Sequence, residues 1–250
     1  MPRARLIAVV LASWACLPGS AHGATTAKMS AAFTPEHLGA PTVVSFGFQI
    51  DQSSFDPAPL TGVELAFPHN LRLATSDLGV SACPPDQLEA LGPKRCPPNS
   101  HMGNGSAIVE IAFGTELVEE AVQLTLLAGP SPNGYLHILV YAKGTYPVEA
   151  DVVLTAELLH GRIAITVPPI LSLPGAPSVA VTEMQLTLGG HLTYYETVKG
   201  RRVAYHPVGV AVPSTCPSGG FRFAATFMLL DGERPSSHTA VACPQPHDRA

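Results

Sequence analysis

Four cysteines, each followed by a proline, are the residues in this sequence best suited to chemistry. They are Cys83, Cys96, Cys216 and Cys243, and a fifth cysteine, Cys16, lies in an apolar stretch near the N-terminus. A cysteine can ligate a metal, attack a substrate as a thiolate, or join a second cysteine in a disulfide. The choice among these depends on the other ligands available, on the compartment and on the strands that hold the cysteines.

The spacing of cysteine and histidine does not favour a metal site. Structural zinc sites use close ligand pairs such as C-x2-C or H-x3-H, and the sequence contains neither spacing. A catalytic thiol is no better supported, because four cysteines in the same Cys-Pro setting do not single out a nucleophile. We therefore expect no metal and no cofactor.

The N-terminus has the order of a secretory signal peptide. Two arginines precede an apolar run over residues 6–17, and small residues follow it. The run is too short to span a bilayer, which takes roughly 20 residues. We expect residues 1–23 to be removed and the protein to be secreted, either free or associated with the cell wall. The residues before Cys16 do not match a lipobox, so lipid attachment there is not expected.

An even number of cysteines in an exported chain predicts disulfides, because the compartment is oxidising. The proline after each cysteine disfavours a helix at the cysteine and tends to end a strand. A bridge from Cys83 to Cys96 would close a short loop. A bridge from Cys216 to Cys243 requires the intervening PSGG, 217–220, to curl back. Four cysteines allow three connectivities, of which we prefer this local pairing.

Charge limits the classes of partner. Removal of Arg3 and Arg5 with the signal leaves 12 basic against 19 acidic side chains, a net charge of about −7. Nucleic acids and anionic membrane surfaces bind basic proteins, so neither is an expected partner. No transmembrane anchor is expected after the signal is removed. The one compact basic run, Lys199 to Arg202, predicts a solvated hairpin turn.

The segments that would position these residues alternate apolar and polar side chains, which is the period of half-buried strands. The pattern recurs in the stretches 44–50, 63–67, 107–113, 122–126, 152–158, 163–167, 182–188 and 221–227. Charged residues make up 13% of the chain, against roughly 25% in an average soluble domain. The sequence predicts an all-β fold, an antiparallel β-sandwich of about ten to twelve strands. The sandwich would be immunoglobulin-like or jelly-roll-like, with one short helix near 85–91 that Asp86 caps.

Glycine and proline define the predicted turns and boundaries. Asp231-Gly232 predicts a two-residue hairpin, and Asn104-Gly105 predicts another tight turn. The proline-rich stretch 168–178 is the best candidate for a linker, or equally for a crossover between two sheets. No change of composition marks a second domain, so we predict one domain over 24–250.

Several segments give the sequence a resemblance to a known group of proteins. They are 60–71 (LTGVELAFPHNL), the Cys-Pro segments around Cys83 and Cys96, 181–190 (VTEMQLTLGG) and 214–227 (STCPSGGFRFAATF). Together they resemble a set of exported, uncharacterised proteins of high-GC Gram-positive, Actinobacteria-like bacteria. The resemblance covers most of the chain after the signal. It implies export and an all-β fold, and it implies no activity or ligand.

Signatures of catalysis are weak. The sequence has no G-x-S-x-G elbow, no H-E-x-x-H motif and no phosphate-binding loop. Ser100 and His101 are adjacent without an obvious carboxylate to orient the imidazole, and Glu119-Glu120 predicts a solvated strand edge. We therefore predict a protein that is not an enzyme and has a structural or protein-interaction role at the cell envelope.

The alternative is a carbohydrate-binding module. Tyrosine rings offer flat amphipathic surfaces, and the candidate ligand-binding residues are Tyr194, Tyr195 and Tyr205. Tyrosine is also an ordinary strand residue, so we prefer the structural or interaction role. The expected partner is an envelope protein or, in the alternative, a polysaccharide.

Overall fold

The computed structural model describes residues 25–54, 56–74, 77–113, 115–131, 134–146, 149–159, 161–170, 179–189, 193–206 and 209–244. The predicted signal peptide at 1–23 and most of the stretch 168–178 lie outside these ranges. The described residues form fifteen strands and one α-helix. The strands are β1 Thr26–Thr34, β2 Val43–Asp51, β3 Leu60–Ala66, β4 Arg72–Leu73, β5 His101–Phe113, β6 Glu116–Ala128, β7 His137–Gly144, β8 Ala150–Leu159, β9 Arg162–Thr166, β10 Ala180–Gly189, β11 Tyr194–Val198, β12 Arg201–Tyr205, β13 Val210–Ala211, β14 Phe221–Leu229 and β15 Ser236–Val241; helix α1 is Pro85–Leu91.

Eleven of the strands form one continuous sheet in the order β1-β2-β10-β5-β6-β7-β8-β9-β3-β14-β15. Every pair of neighbours in it is antiparallel. The edge strands β1 and β15 approach to within 8 Å between Cα atoms, so the sheet curls almost into a barrel. The strands β11 and β12 form a separate two-stranded hairpin, and β4 pairs with β13.

The predicted all-β antiparallel fold with one short helix is confirmed. Each of the eight stretches of alternating residues falls on a strand, because burial of one face selects apolar residues at every second position. The finer choice between an immunoglobulin-like and a jelly-roll-like sandwich stays a prediction. Strands on both sides of 168–178 belong to the same sheet, since β9 pairs with β3 and β8 while β10 pairs with β2 and β5.

Two predicted turns differ from the structure. Phe221 pairs with Val241, one position away from the register that a two-residue loop at Asp231-Gly232 requires. The loop has three residues, and Gly232 at φ 92° takes the left-handed position that such a loop needs. Asn104-Gly105 is not a turn, because it lies inside β5. A Cβ on Gly105 would collide with the carbonyl oxygen of Gln185, so glycine permits the close approach of β5 to β10.

Helix α1 begins differently from the prediction. Pro84 is the N-cap and makes no side-chain capping bond, while Asp86 lies in the first turn. Its carboxylate there complements the positive end of the helix dipole instead of capping the helix. The side chain of Leu88 is fully buried and holds the helix against the sheet.

The interior of the curled sheet has an aromatic side and an aliphatic side. Phenylalanines of β1, β2 and β14 pack together, with ring centroids 5.4 Å apart for Phe33 and Phe221 and 4.7 Å apart for Phe48 and Phe227. The opposite side, formed by β5 to β9, contributes mainly alanine, valine, leucine and isoleucine. The aromatic side is therefore filled by large rings, and the aliphatic side is lined by smaller side chains.

Candidate functional site

The disulfide between Cys83 and Cys96, with Cα atoms 5.1 Å apart, closes a loop over the outer face of the sheet. Both cysteines are buried in a small apolar cluster with Leu88 of α1 and three outward-facing residues of β6 and β7, namely Leu127, Leu139 and Tyr141. Those three positions are apolar because the loop covers them. The predicted clip is confirmed, and it acts as a cover on the sheet.

The second disulfide joins Cys216 to Cys243, with Cα atoms 5.8 Å apart. It ties the segment before β14 to the segment after β15. The N–H of Gly220 donates to the carbonyl oxygen of Pro217 at 3.0 Å, which is the backward curl that this pairing requires. The preferred local connectivity is therefore confirmed for both bridges.

The hairpin β11–β12, which we call the arm, is anchored by Tyr194 at its base. The ring is 2% exposed. Its hydroxyl donates to the carbonyl oxygen of His101 at 2.9 Å and accepts from the N–H of Gly79 at 2.9 Å. Burial raises the pKa of Tyr194, so the hydroxyl stays protonated and keeps donating. Tyr194 thus fixes the arm to the body.

Asn99 forms a second anchor one residue further along. Its side-chain amide donates to the carbonyl oxygen of Tyr195 at 2.6 Å and accepts from the N–H of Tyr195 at 2.9 Å. Asn99 lies three residues after Cys96, in the short 3-10 turn Pro98–Ser100. The disulfide-clipped loop therefore leads directly into the base of the arm.

Beyond these anchors the arm projects from the body. All residues from Tyr195 to Ala204 are exposed. The register pairs Tyr194 with Tyr205, and strand alternation places Val198 and Val203 on the same face as that pair. On the opposite face, the guanidinium of Arg202 lies 3.9 Å from the ring centroid of Tyr195.

The three tyrosines proposed as ligand contacts have different environments. Tyr194 is buried, and its hydroxyl is already hydrogen-bonded to His101 and Gly79. Tyr205 lies against it, with ring centroids 5.9 Å apart, and only Tyr195 is well exposed. The predicted hairpin turn at Lys199-Gly200 is confirmed, with φ angles of 49° and 75°. Asn99 and the exposed valines of the arm were not predicted from the sequence, because they belong to no recognisable motif.

The residues considered for catalysis have structural partners. The hydroxyl of Ser100 donates to the carbonyl oxygen of Pro97 at 2.7 Å, and the ring of His101 bonds to the backbone of Pro93. Burial lowers the pKa of His101. Ser100 and His101 thus bond to different carbonyl groups.

The prediction that Glu119-Glu120 forms a solvated strand edge is correct for Glu119 and wrong for Glu120. Both glutamates pair only with β5, because the pairing of β6 with β7 begins at Gln123, so this part of β6 is an edge. Glu119 is exposed on the outer face, while Glu120 points inward, is 5% exposed and accepts from the N–H of Tyr146 at 3.0 Å. The signal was available in the sequence, because Glu120 is in phase with the inward-facing Val122 and Leu124.

In the part of the chain that the structure describes, no group of three or more histidine, cysteine, aspartate or glutamate side chains is arranged to hold a metal ion. None of the helices in that part is long and apolar enough to cross a membrane.

No family model, curated protein or solved structure matches this chain. The resemblance to exported proteins of high-GC Gram-positive bacteria therefore stays a prediction, and the candidate function must come from the geometry of the chain itself.

Proposed function

We propose that the protein is an exported, non-catalytic interaction module whose arm binds a protein of the cell envelope. The observation that carries this proposal is the arm itself, a hairpin that is exposed from Tyr195 to Ala204 and held at its base by two sets of hydrogen bonds. An element fixed at its base loses little conformational freedom when it binds, which favours affinity.

The side chains of the arm match those that carry binding energy in protein interfaces. Tyrosine and arginine are enriched among energetically dominant interface residues, and Tyr195 with Arg202 provides one such pair. Val203, which is 45% exposed, adds apolar surface on the other face. Val198, which is 48% exposed, lies on the same face, so the two valines together offer apolar surface to a partner.

The charge of the arm indicates the chemistry of the partner. Lys199, Arg201 and Arg202 lie at or next to its tip, whereas the whole chain has a formal net charge of −5. A basic tip on an acidic protein steers association towards a partner with an acidic surface. The partner is therefore expected to offer an acidic rim around an apolar patch.

Two observations support export. The order of charged, apolar and small residues at the N-terminus is that of a signal peptide. The two disulfides fit an oxidising compartment, because reducing compartments keep structural cysteines as thiols.

The carbohydrate-binding alternative has less support from the arm. Sugar stacking needs a free ring face, and Arg202 covers one face of Tyr195. Tyr194 is buried. A protein partner uses both the ring and the guanidinium, whereas a sugar would have to displace the guanidinium or use the other face.

The test compares binding to envelope proteins with binding to envelope polysaccharide, using purified protein that lacks residues 1–23. We expect the unaltered protein to retain one envelope protein. Once that envelope protein is purified, its affinity for the unaltered protein should fall as the salt concentration rises. Val203→Asp should abolish that binding.

The matched control is Leu230→Asp. Leu230 is also exposed, at 55%, but lies in the β14–β15 loop, so its substitution should leave binding intact. Equal effects of the two substitutions would contradict the proposal. Retention of polysaccharide that is lost on Tyr195→Ala would replace it with the carbohydrate-binding alternative.

A further inference from the structure

The aliphatic side of the sheet interior is not completely filled. A cavity of about 90 Å³ lies between β3 and the strands β5 to β10. A second cavity of about 70 Å³ lies further along β6 to β10, next to the aromatic side, and Phe46, Phe67 and Phe223 also line it. Val140, Ile165 and Leu186 line both cavities, so the two spaces are neighbours that these side chains separate.

The two cavities follow the direction of the strands. On β6, Glu120, Val122 and Leu124 line the first cavity and Leu126 lines the second. The strand from residue 120 to residue 126 is about 20 Å long at ~3.3 Å per residue. The space is thus long and narrow, which is the shape of an extended hydrocarbon chain.

Solvent reaches this interior. Side chains of β8 and β9 that face inward, such as Leu154 and Ile165, are only partly buried, whereas Val140 on β7 is almost fully buried. Partial exposure of inward-facing aliphatic residues leaves apolar surface in contact with water. A ligand that covers this surface gains the free energy of its burial.

One polar side chain interrupts the apolar lining. Among the described residues that line the first cavity, Glu120 is the only one that is not glycine, alanine, valine, leucine, isoleucine or methionine. It lies at one end of the paired cavities and is 5% exposed. One carboxylate oxygen accepts from the N–H of Tyr146. A carboxylate only accepts hydrogen bonds when ionised, so a ligand group next to it must be a donor.

We propose that this interior is a binding site for a single-chain amphiphile whose head group is a hydrogen-bond donor, an amine or a hydroxyl. The hydrocarbon chain of this amphiphile lies along β6 to β8, and its head group donates a hydrogen bond to the carboxylate of Glu120. The two cavities follow one another along the strands, and this elongated arrangement favours a chain over a ring. The site is separate from the arm and goes beyond the proposed interaction with an envelope protein.

The test measures binding of dodecylamine, dodecanol and dodecanoate to the protein lacking residues 1–23, by displacement of a fluorescent apolar probe. We expect the amine and the alcohol to bind and the carboxylate to bind least, because its charge repels Glu120. Glu120→Gln should weaken amine binding by at least about tenfold, because the amide oxygen still accepts a hydrogen bond but no longer carries a charge that attracts the ammonium group. Glu119→Gln, one residue away on the outer face, is the matched control and should change nothing.

A second pair of variants tests where the hydrocarbon chain binds. Ala142→Phe fills the first cavity and should abolish binding of dodecylamine and dodecanol. Thr155→Phe places the same ring on the outer face of β8 and should leave their binding intact. Methyl resonances of Val122 and Val140 should shift on binding, and this measurement does not depend on any variant. Absence of binding, binding that Ala142→Phe leaves intact, or dodecanoate binding that matches dodecylamine would each overturn the proposal.

Discussion

The side-chain amide of Asn99 pairs with the backbone of Tyr195 in both directions, donating to its carbonyl oxygen and accepting from its N–H. The two residues are 96 positions apart. This pair connects the segment that follows the Cys83–Cys96 disulfide to the arm. The disulfide loop and the candidate interaction surface therefore form one unit.

Replacement of Asn99 by alanine should loosen the arm without unfolding the sheet. The loss of two hydrogen bonds is expected to lower the free energy of unfolding by about 1 to 2 kcal/mol. The amide of Tyr195 should lose its protection from hydrogen exchange, while amides of β6 keep theirs. Thr197→Ala, a change at an exposed position of the same hairpin, is the control; equal loss of protection in both variants would show that Asn99 is not the anchor.

Replacement of Tyr194 by phenylalanine should be more costly than the same change at Tyr195. The buried hydroxyl of Tyr194 satisfies the carbonyl oxygen of His101 and the N–H of Gly79, and its removal leaves both unpaired. We expect a loss of about 1 to 3 kcal/mol for Tyr194→Phe and almost none for Tyr195→Phe. Urea denaturation of the two variants measures this difference, and equal values would contradict the anchoring role.

The strands were largely predictable from the sequence, and the way in which they close was not. Alternating residues such as Val44, Phe46 and Phe48 mark a half-buried strand wherever it lies. The strand order brings β10 between β2 and β5 and brings β3 next to β14, and no local pattern encodes such distant pairing. The cavity depends on that closure, so it was not predictable either.

Local sequence patterns were likewise insufficient to predict the candidate surfaces. The basic turn at Lys199 to Arg202 was predicted as a turn, but its projection depends on contacts with Asn99 and Gly79, which are distant in sequence. The register of the last hairpin was predicted one position off, since Gly232 serves a three-residue loop. Glu120 could have been identified, because it interrupts the inward-facing apolar series of β6.

Replacement of Cys83 and Cys96 by serine should destabilise the protein by about 2 to 4 kcal/mol, as expected for opening a short loop. The change also uncovers the outward-facing Leu127 and Leu139, which the loop buries. We expect increased binding of a hydrophobic dye in addition to a lower melting temperature. Peptide mapping without reduction should recover Cys83 joined to Cys96; free thiols at both positions, or a link to Cys216 or Cys243, would refute the clip.

Stability should fall above pH 10 in a manner that depends on Tyr141. Burial, with the neighbouring carboxylate of Asp151, raises the pKa of Tyr141 to about 12. The folded state therefore holds this proton at a pH where the unfolded chain releases it, so stability is full below pH ~10 and is lost as pH rises towards 12. Urea denaturation at pH 9 and pH 11 should show a smaller difference for Tyr141→Phe than for the unaltered protein; an unchanged difference would show that other groups are responsible.

The most direct test of the account places a photo-cross-linking residue at Val203, and in a second variant at Leu230, in the cells that produce the protein. Both positions are exposed, and only Val203 lies on the arm. We predict that irradiation joins the Val203 variant, outside the cytoplasm, to one envelope protein, and that the Leu230 variant gives no such adduct. Adducts of equal yield at both positions, or none at Val203, would contradict the claim that the arm is the interaction surface.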